Sequence, residues 1–336
     1  MKPIDLQATA LELVAPGKGI LAADESGPTI EKRFKAIGVM STEENRRAYR
    51  ELLLTTPGVN AFISGVILYD ETLRQQTADG VGFSDVLSRH GIFPGIKVDK
   101  GARALAGFPG EKVTEGLDGL RERLGEYARL GAKFTKWRAV IAIASGIPTA
   151  AGMVANAQAL ARFAALSQEA GLVPVVEPEV LMDGMHPLER HYEVTELMLH
   201  HVFRALFEQR VQLEGMLLKV NMVLSGTACA QQAGVTEVAE ATRRCLLRTV
   251  PAAVPGIVFL SGGQSDVRAT EHLDALNRRG EVPWQLSFSY GRALQAPALT
   301  CWAGQQGNTA QAQQALLQRA RCNSAARFGQ YTAEME

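Results

Sequence analysis

Eight short β-prone apolar runs recur along the chain, with amphipathic segments between them, and this alternation restricts the fold more than any other feature. The runs cover residues 19–23, 61–68, 95–98, 132–141, 172–177, 215–220, 256–261 and 285–289. Between them, apolar residues return at helical spacing: Leu117, Leu120, Leu124, Tyr127 and Leu130 form one stripe, and Val194, Leu197, Met198, Val202 and Ala205 another. A strand followed by a helix, repeated eight times, is the pattern of an α/β (β/α)8 barrel. A doubly wound open sheet competes, but it usually has fewer strands and a Gly-rich turn after the first. Here that turn reads Ala-Asp-Glu-Ser-Gly-Pro (23–28). Length alone allows about two domains. No Pro/Ser-rich linker divides the chain, however, so a single domain over 1–336 is expected. On that reading the N-terminal helix, a loop through 41–47 and a last helix over about 309–327 decorate the barrel, and 328–336 is a short tail.

Charge narrows the partners. Thirty-five basic side chains balance 35 acidic ones, which leaves no basic surplus for nucleic acid or an anionic membrane. The first residues, Met-Lys-Pro-Ile-Asp-Leu-Gln, carry charges where a signal peptide needs an apolar stretch, and no run of about 18 apolar residues occurs. A cytoplasmic protein is expected. Cys229, Cys245, Cys301 and Cys322 form no Cys-x-x-Cys pair, which fits reduced thiols.

The charged residues fall at the C-terminal ends of the strand candidates, the active face of a barrel. In order they are Asp24, Asp70, Lys97 with Asp99, Lys136 with Arg138, Glu177 with Glu179, Lys219, then Ser261 and Arg292. Side chains alternate across a strand, so Lys136 and Arg138 share a face, as do Glu177 and Glu179, and Lys97 and Asp99. Any one pair also reads as a salt bridge closing the barrel end. Lys219 stands in Gly-Met-Leu-Leu-Lys-Val-Asn-Met-Val (215–223). An exposed strand end would accommodate it, but burial in such a run disfavours an ammonium and favours a nucleophilic amine, the requirement of a Schiff-base lysine.

Condensing a lysine with a ketone requires loss of water from a carbinolamine, for which Glu177 and Glu179 supply the acid and base. The iminium then accepts electrons from a neighbouring carbon–carbon bond, once Asp24 or a glutamate removes a hydroxyl proton. Lys136 adds positive charge against developing negative charge. Two segments point to phosphate: Phe-Leu-Ser-Gly-Gly-Gln-Ser (259–265) and Phe-Ser-Tyr-Gly-Arg-Ala-Leu (288–294) follow the last two strands, where barrels commonly hold phosphate on backbone N–H groups. Arg292 adds a fork-shaped donor. A second cationic group of Lys97, Arg33 and Arg138 would take another phosphate. Two anionic ends with a ketone between them describe a sugar bisphosphate.

Seven segments, in order and over nearly the whole length, resemble the class I fructose-bisphosphate aldolases: 21–26, 95–101, 136–138, 176–181, 217–223, 259–265 and 288–295. The resemblance implies reversible cleavage of fructose 1,6-bisphosphate, with no metal or other cofactor, in glycolysis and gluconeogenesis. Lys219 would form the Schiff base and Glu177 would serve as acid/base. Asp24 would orient the lysine and assist cleavage, with Glu179 and Lys136 as auxiliaries. Ser261, Gly262, Gly263, Ser289, Gly291 and Arg292 match positions for the ketose-side phosphate; Ser26, Thr29, Arg33, Lys97 and Arg138 match the region serving the other end. A homotetramer is implied by the family. A transaldolase-like barrel would act on monophosphates and need one phosphate site. His90, His186, His191, His200, His201 and His272 are scattered, unlike the cluster a metal-dependent aldolase needs. Val220 stands where the family usually has proline. The chain ends at Thr-Ala-Glu-Met-Glu rather than at a terminal tyrosine that would assist enamine protonation, and Tyr331 is not expected to replace it.

Overall fold

The computed structural model describes residues 5–336. Ten strands form: β1 (Gly19–Ala23), β2 (Ile63–Leu68), β3 (Phe93–Lys97), β4 (Ala102–Ala104), β5 (Lys112–Thr114), β6 (Phe134–Ile141), β7 (Val173–Val180), β8 (Leu217–Val220), β9 (Gly256–Phe259) and β10 (Gln285–Tyr290). Eight of them close a barrel in the order β1-β10-β9-β8-β7-β6-β3-β2, with every barrel pair parallel. This is the expected (β/α)8 architecture. The eight sequence runs coincide with the eight barrel strands to within a few residues.

Four details differ. The β4–β5 hairpin, antiparallel and separate from the barrel, is not among the sequence runs, because three-residue strands carry no periodic signal. β7 runs on to Val180, paired with β6 as far as Ile141, so Glu177 and Glu179 both lie within the strand. The stretch expected as a loop over 41–47 starts a helix at Glu43, whose first turn is capped by Thr42 accepting from Asn45 N–H at 3.1 Å. Leu197 is 46% exposed; the buried face of the Leu188–Glu208 helix runs through His191, Val194, Thr195, Met198, Val202 and Ala205.

The bottom of the barrel is filled by Ile20, Ile67, Phe134, Val173, Val175, Leu217 and Val258, beneath Leu13 and Val14. The Leu6–Leu13 helix brings this plug to the barrel. Glycines make the room: a Cβ on Gly95 would lie 2.2 Å from the Phe134 ring, and one on Gly256 2.6 Å from Val14. The last helix, Thr309–Arg327, ends in a buried guanidinium that donates to Val14 O at 3.2 Å, Lys18 O at 2.6 Å, Leu286 O at 3.1 Å and Gln285 Oε1 at 2.8 Å, and also to Ala15 O. Arg327 thus ties both chain ends to the barrel floor. Beyond it, the 328–336 segment folds back: Tyr331, 5% exposed, donates its hydroxyl to Glu336 at 2.7 Å, and Glu336 pairs with the buried Arg319.

Candidate active site

On β6, Phe134, Lys136 and Arg138 share one face, while Trp137 points the other way to stack on Phe163. On β7 the matching series is Val173, Val175, Glu177 and Glu179, and on β8 it is Leu217 and Lys219. Each series turns from apolar to charged on passing from the floor to the C-terminal end. The charged members meet there as a chain of alternating sign. Lys219 Nζ lies 3.2 Å from Glu177 Oε1, Lys136 Nζ lies 2.8 Å from Glu177 Oε2, and Lys136 also donates to Asp24 Oδ2 at 3.0 Å. Lys219 is only 3% exposed, so the exposed-strand-end alternative fails.

Burial pushes the Asp24 carboxyl up, but Lys136 and Lys219 outweigh it and hold the group well below the usual range. Glu177 is likewise raised by burial and lowered further by Lys136, Lys219 and Arg138, with a net downward shift. Burial opposes charge on Lys136, yet Asp24, Glu177 and Asp99 raise its pKa above the ordinary value. At neutral pH the site therefore holds two carboxylates with a lysinium wedged between them. Arg138 pairs with Glu179, and Lys97 lies 2.6 Å from Asp99.

Over the ends of β9 and β10 the backbone opens. Gly262 and Gly263 adopt φ of 60° and 107°, left-handed values that favour glycine. A Cβ on Gly263 would sit 3.4 Å from Arg292 Nη2, which places the glycine turn against the guanidinium. The Ser289 hydroxyl is buried without a hydrogen-bond partner. The Arg292–Trp302 helix begins with no side-chain cap, which leaves its first N–H groups available to an anion. Ser261, Gly262, Gly263, Ser289, Gly291 and Arg292 are thus gathered across two adjacent strands.

Of the second expected cluster, Lys97 and Arg138 stand on neighbouring strands, whereas Arg33 pairs with Glu25 and has Nη2 3.7 Å from where a Gly291 Cβ would sit. Ser26 and Thr29 face each other at 3.2 Å at the start of the Gly27–Ala36 helix. Asp70 opens the Asp70–Arg74 helix and pairs with Arg74 at 3.1 Å. The sequence reading missed Glu25, which also meets Arg50 at 2.6 Å and accepts from Gln295 at 2.9 Å. Arg50, 3% exposed within a leucine-rich helix, was the available signal, since a buried guanidinium demands a carboxylate. His186 and His191, both buried, stack with ring centroids 5.2 Å apart. All four cysteines are free thiols. Among the described residues no helix is long and apolar enough to cross a membrane.

Fold and site together define an enzyme class, a (β/α)8 barrel that buries a lysine against a carboxylate at its C-terminal end. The family model for fructose-bisphosphate aldolase class-I matches residues 5–336. A probable fructose-bisphosphate aldolase class 1 of Xanthomonas axonopodis pv. citri is 60% identical over 327 residues, 97% of this chain and 98% of that one. The fructose-bisphosphate aldolase of Dictyostelium discoideum is 54% identical, covering 98% and 93%. The solved Plasmodium falciparum fructose-bisphosphate aldolase, in complex with TRAP and a small-molecule inhibitor, superposes with a TM-score of 0.96 at 50% identity, over 98% of this chain and 95% of that one. The chain belongs to the class I fructose-bisphosphate aldolase family.

Proposed function

We propose that the chain cleaves fructose 1,6-bisphosphate reversibly to dihydroxyacetone phosphate and glyceraldehyde 3-phosphate, through a Schiff base on Lys219. The observation that carries this reading is the 3.2 Å contact between Lys219 Nζ and Glu177 Oε1, both buried at the barrel end. Glu177 takes a proton from the lysine. The amine attacks the substrate ketone to give a carbinolamine, and Glu177 returns the proton to the departing hydroxyl, so that water and an iminium form. Asp24, kept ionised by Lys136, removes the proton of the hydroxyl beyond the scissile bond. The carbon–carbon bond breaks, its electron pair moves to the iminium, and the aldehyde leaves an enamine that is then protonated and hydrolysed.

The Ser261–Gly263 turn, Ser289, Gly291 and Arg292 hold the ketose-side phosphate, and Arg33 belongs with them by its place at Gly291. Ser26, Thr29, Lys97 and Arg138 serve the other end, with Glu179 steadying Arg138. The setting is glycolysis and gluconeogenesis in the cytoplasm, with one domain per chain and four chains per molecule. A coupled assay tests the reading: the enzyme should cleave fructose 1,6-bisphosphate in the presence of EDTA and lose that activity in Lys219→Ala. Abolition by EDTA, or full activity in the variant, contradicts it.

A further inference from the structure

The wall of the barrel is not continuous where the lysine stands. β6 and β7 pair without a break from Phe134–Val173 to Ile141–Val180, whereas β7 and β8 pair only at Val175–Leu217 and Val176–Leu218. The cause is in the sequence of β7, Val-Pro-Val-Val-Glu-Pro-Glu-Val. Val173 and Leu181 send their N–H groups to Lys133 O and Ile141 O on the β6 side. Parallel ladders use alternate residues for each neighbour, so the β8 side falls to Pro174, Val176, Pro178 and Val180. Proline has no N–H. Pro178 therefore ends the ladder at the level where the register would pass from Val176–Leu218 to Glu177–Lys219.

A side chain closes the gap. Asn221 Oδ1 accepts the Val180 N–H at 2.9 Å, in place of a backbone carbonyl of β8. Its amide donates to Thr195 Oγ1 at 3.1 Å and to Met222 O at 3.2 Å, which fixes the orientation of the group. His191 joins the other side of the same residue, with Nε2 3.3 Å from Val180 O and Nδ1 accepting from Leu224 N–H at 3.3 Å. Asn221, Thr195 and His191 are all buried.

We propose that Asn221 is a positioning residue for the lysine: by bridging the β7–β8 seam that Pro178 opens, it sets the separation of Glu177 and Lys219. The opened seam frees both side chains from a rigid ladder, and the asparagine restores a defined distance without restoring the ladder. This inference rests on the Schiff-base reading. A misplacement of about 1 Å at such a pair costs up to about a hundredfold in rate.

The test is Asn221→Ala, with quenched-flow borohydride trapping of dihydroxyacetone phosphate and steady-state cleavage normalised to trapped sites. The rate of adduct formation and kcat per site should both fall on the order of ten- to a hundredfold, with KM close to the wild-type value. A purely structural role would lower the number of trapped sites but leave kcat per site unchanged. Thr195→Val, which loses only the support of the amide, should show a smaller loss in the same two rates and carries the test if Asn221→Ala does not fold. Wild-type rates per site in the folded variants overturn the inference while the Schiff-base reading stands. Absence of adduct in the wild type overturns that reading, and the inference with it.

Discussion

At the N-terminal end of the barrel, Phe134, Val175 and Leu217 pack under Leu13 and Val14; two residues further along the same three strands stand Lys136, Glu177 and Lys219. That step is about 7 Å along one face, and the chemistry of the interior reverses across it. The lower layer removes apolar surface from water and stabilises the fold at about 25 cal/mol per Å2. The upper layer buries charges whose mutual attraction roughly offsets the cost of their desolvation. On the proposed reading, stability and reactivity are separated by height along a common set of strands. Arg327 shows that the floor also holds a buried cation, but there it is surrounded by neutral oxygens and, among the described residues, has no carboxylate partner.

Substitutions at the two levels should separate these roles. Lys219→Ala should reduce cleavage at least about a thousandfold, the scale for loss of a nucleophile, with the fold retained by circular dichroism. Lys136→Met strips Asp24 and Glu177 of their shared cation. We expect turnover to fall by about two to four orders of magnitude, together with a loss of stability of about 3 kcal/mol, measured by urea denaturation. At the floor, Arg327→Leu leaves several buried carbonyls unsatisfied and should cost about 3 kcal/mol, yet turnover per folded molecule should be unchanged. Gly95→Ala drives a methyl group into the Phe134 ring and should cost about 1–3 kcal/mol, again without a change in turnover. Turnover lost in either floor variant, with folded protein present, would break the separation.

The smallest effect concerns acid. Asp24 and Glu177 are held below their ordinary values, so the unfolded chain takes up protons at a higher pH than the folded one. Their contribution is complete above the unfolded values near 4 and is lost as pH falls below them. Denaturation midpoints taken from about pH 6 to about pH 3 should fall less steeply in Asp24→Asn than in the wild type.

The upper layer was the more legible of the two in sequence, because a lysine or glutamate within an apolar run departs from the burial rule and so attracts notice. Lys219 stands out in this way, and Lys136 and Glu177 stand out by their places at strand ends; the structure links Lys219 to Glu177, Glu177 to Lys136 and Lys136 to Asp24. The floor was read only as apolar runs, since alternating valines and glycines do not reveal which residue will fill the centre of the barrel. Arg33 is grouped with Lys97 and Arg138 by charge and the matching segments. Its true direction depends on Glu25, Arg50 and Gln295, which are 8, 17 and 262 residues away and share no motif with it. Asn221 lies in the 215–223 run, but its role depends on Pro178 facing β8, which no local pattern shows. The Thr42 cap follows a local rule, a threonine ahead of a helix whose first turn is Glu-Glu-Asn.

The most direct measurement is borohydride reduction in the presence of dihydroxyacetone phosphate, followed by peptide mass mapping with Lys219→Ala as the control. The predicted result is a reduced adduct on Lys219 and none in the variant. An adduct on Lys136 or Lys97, or no adduct on an enzyme that still cleaves fructose 1,6-bisphosphate, would contradict a barrel end built around Lys219.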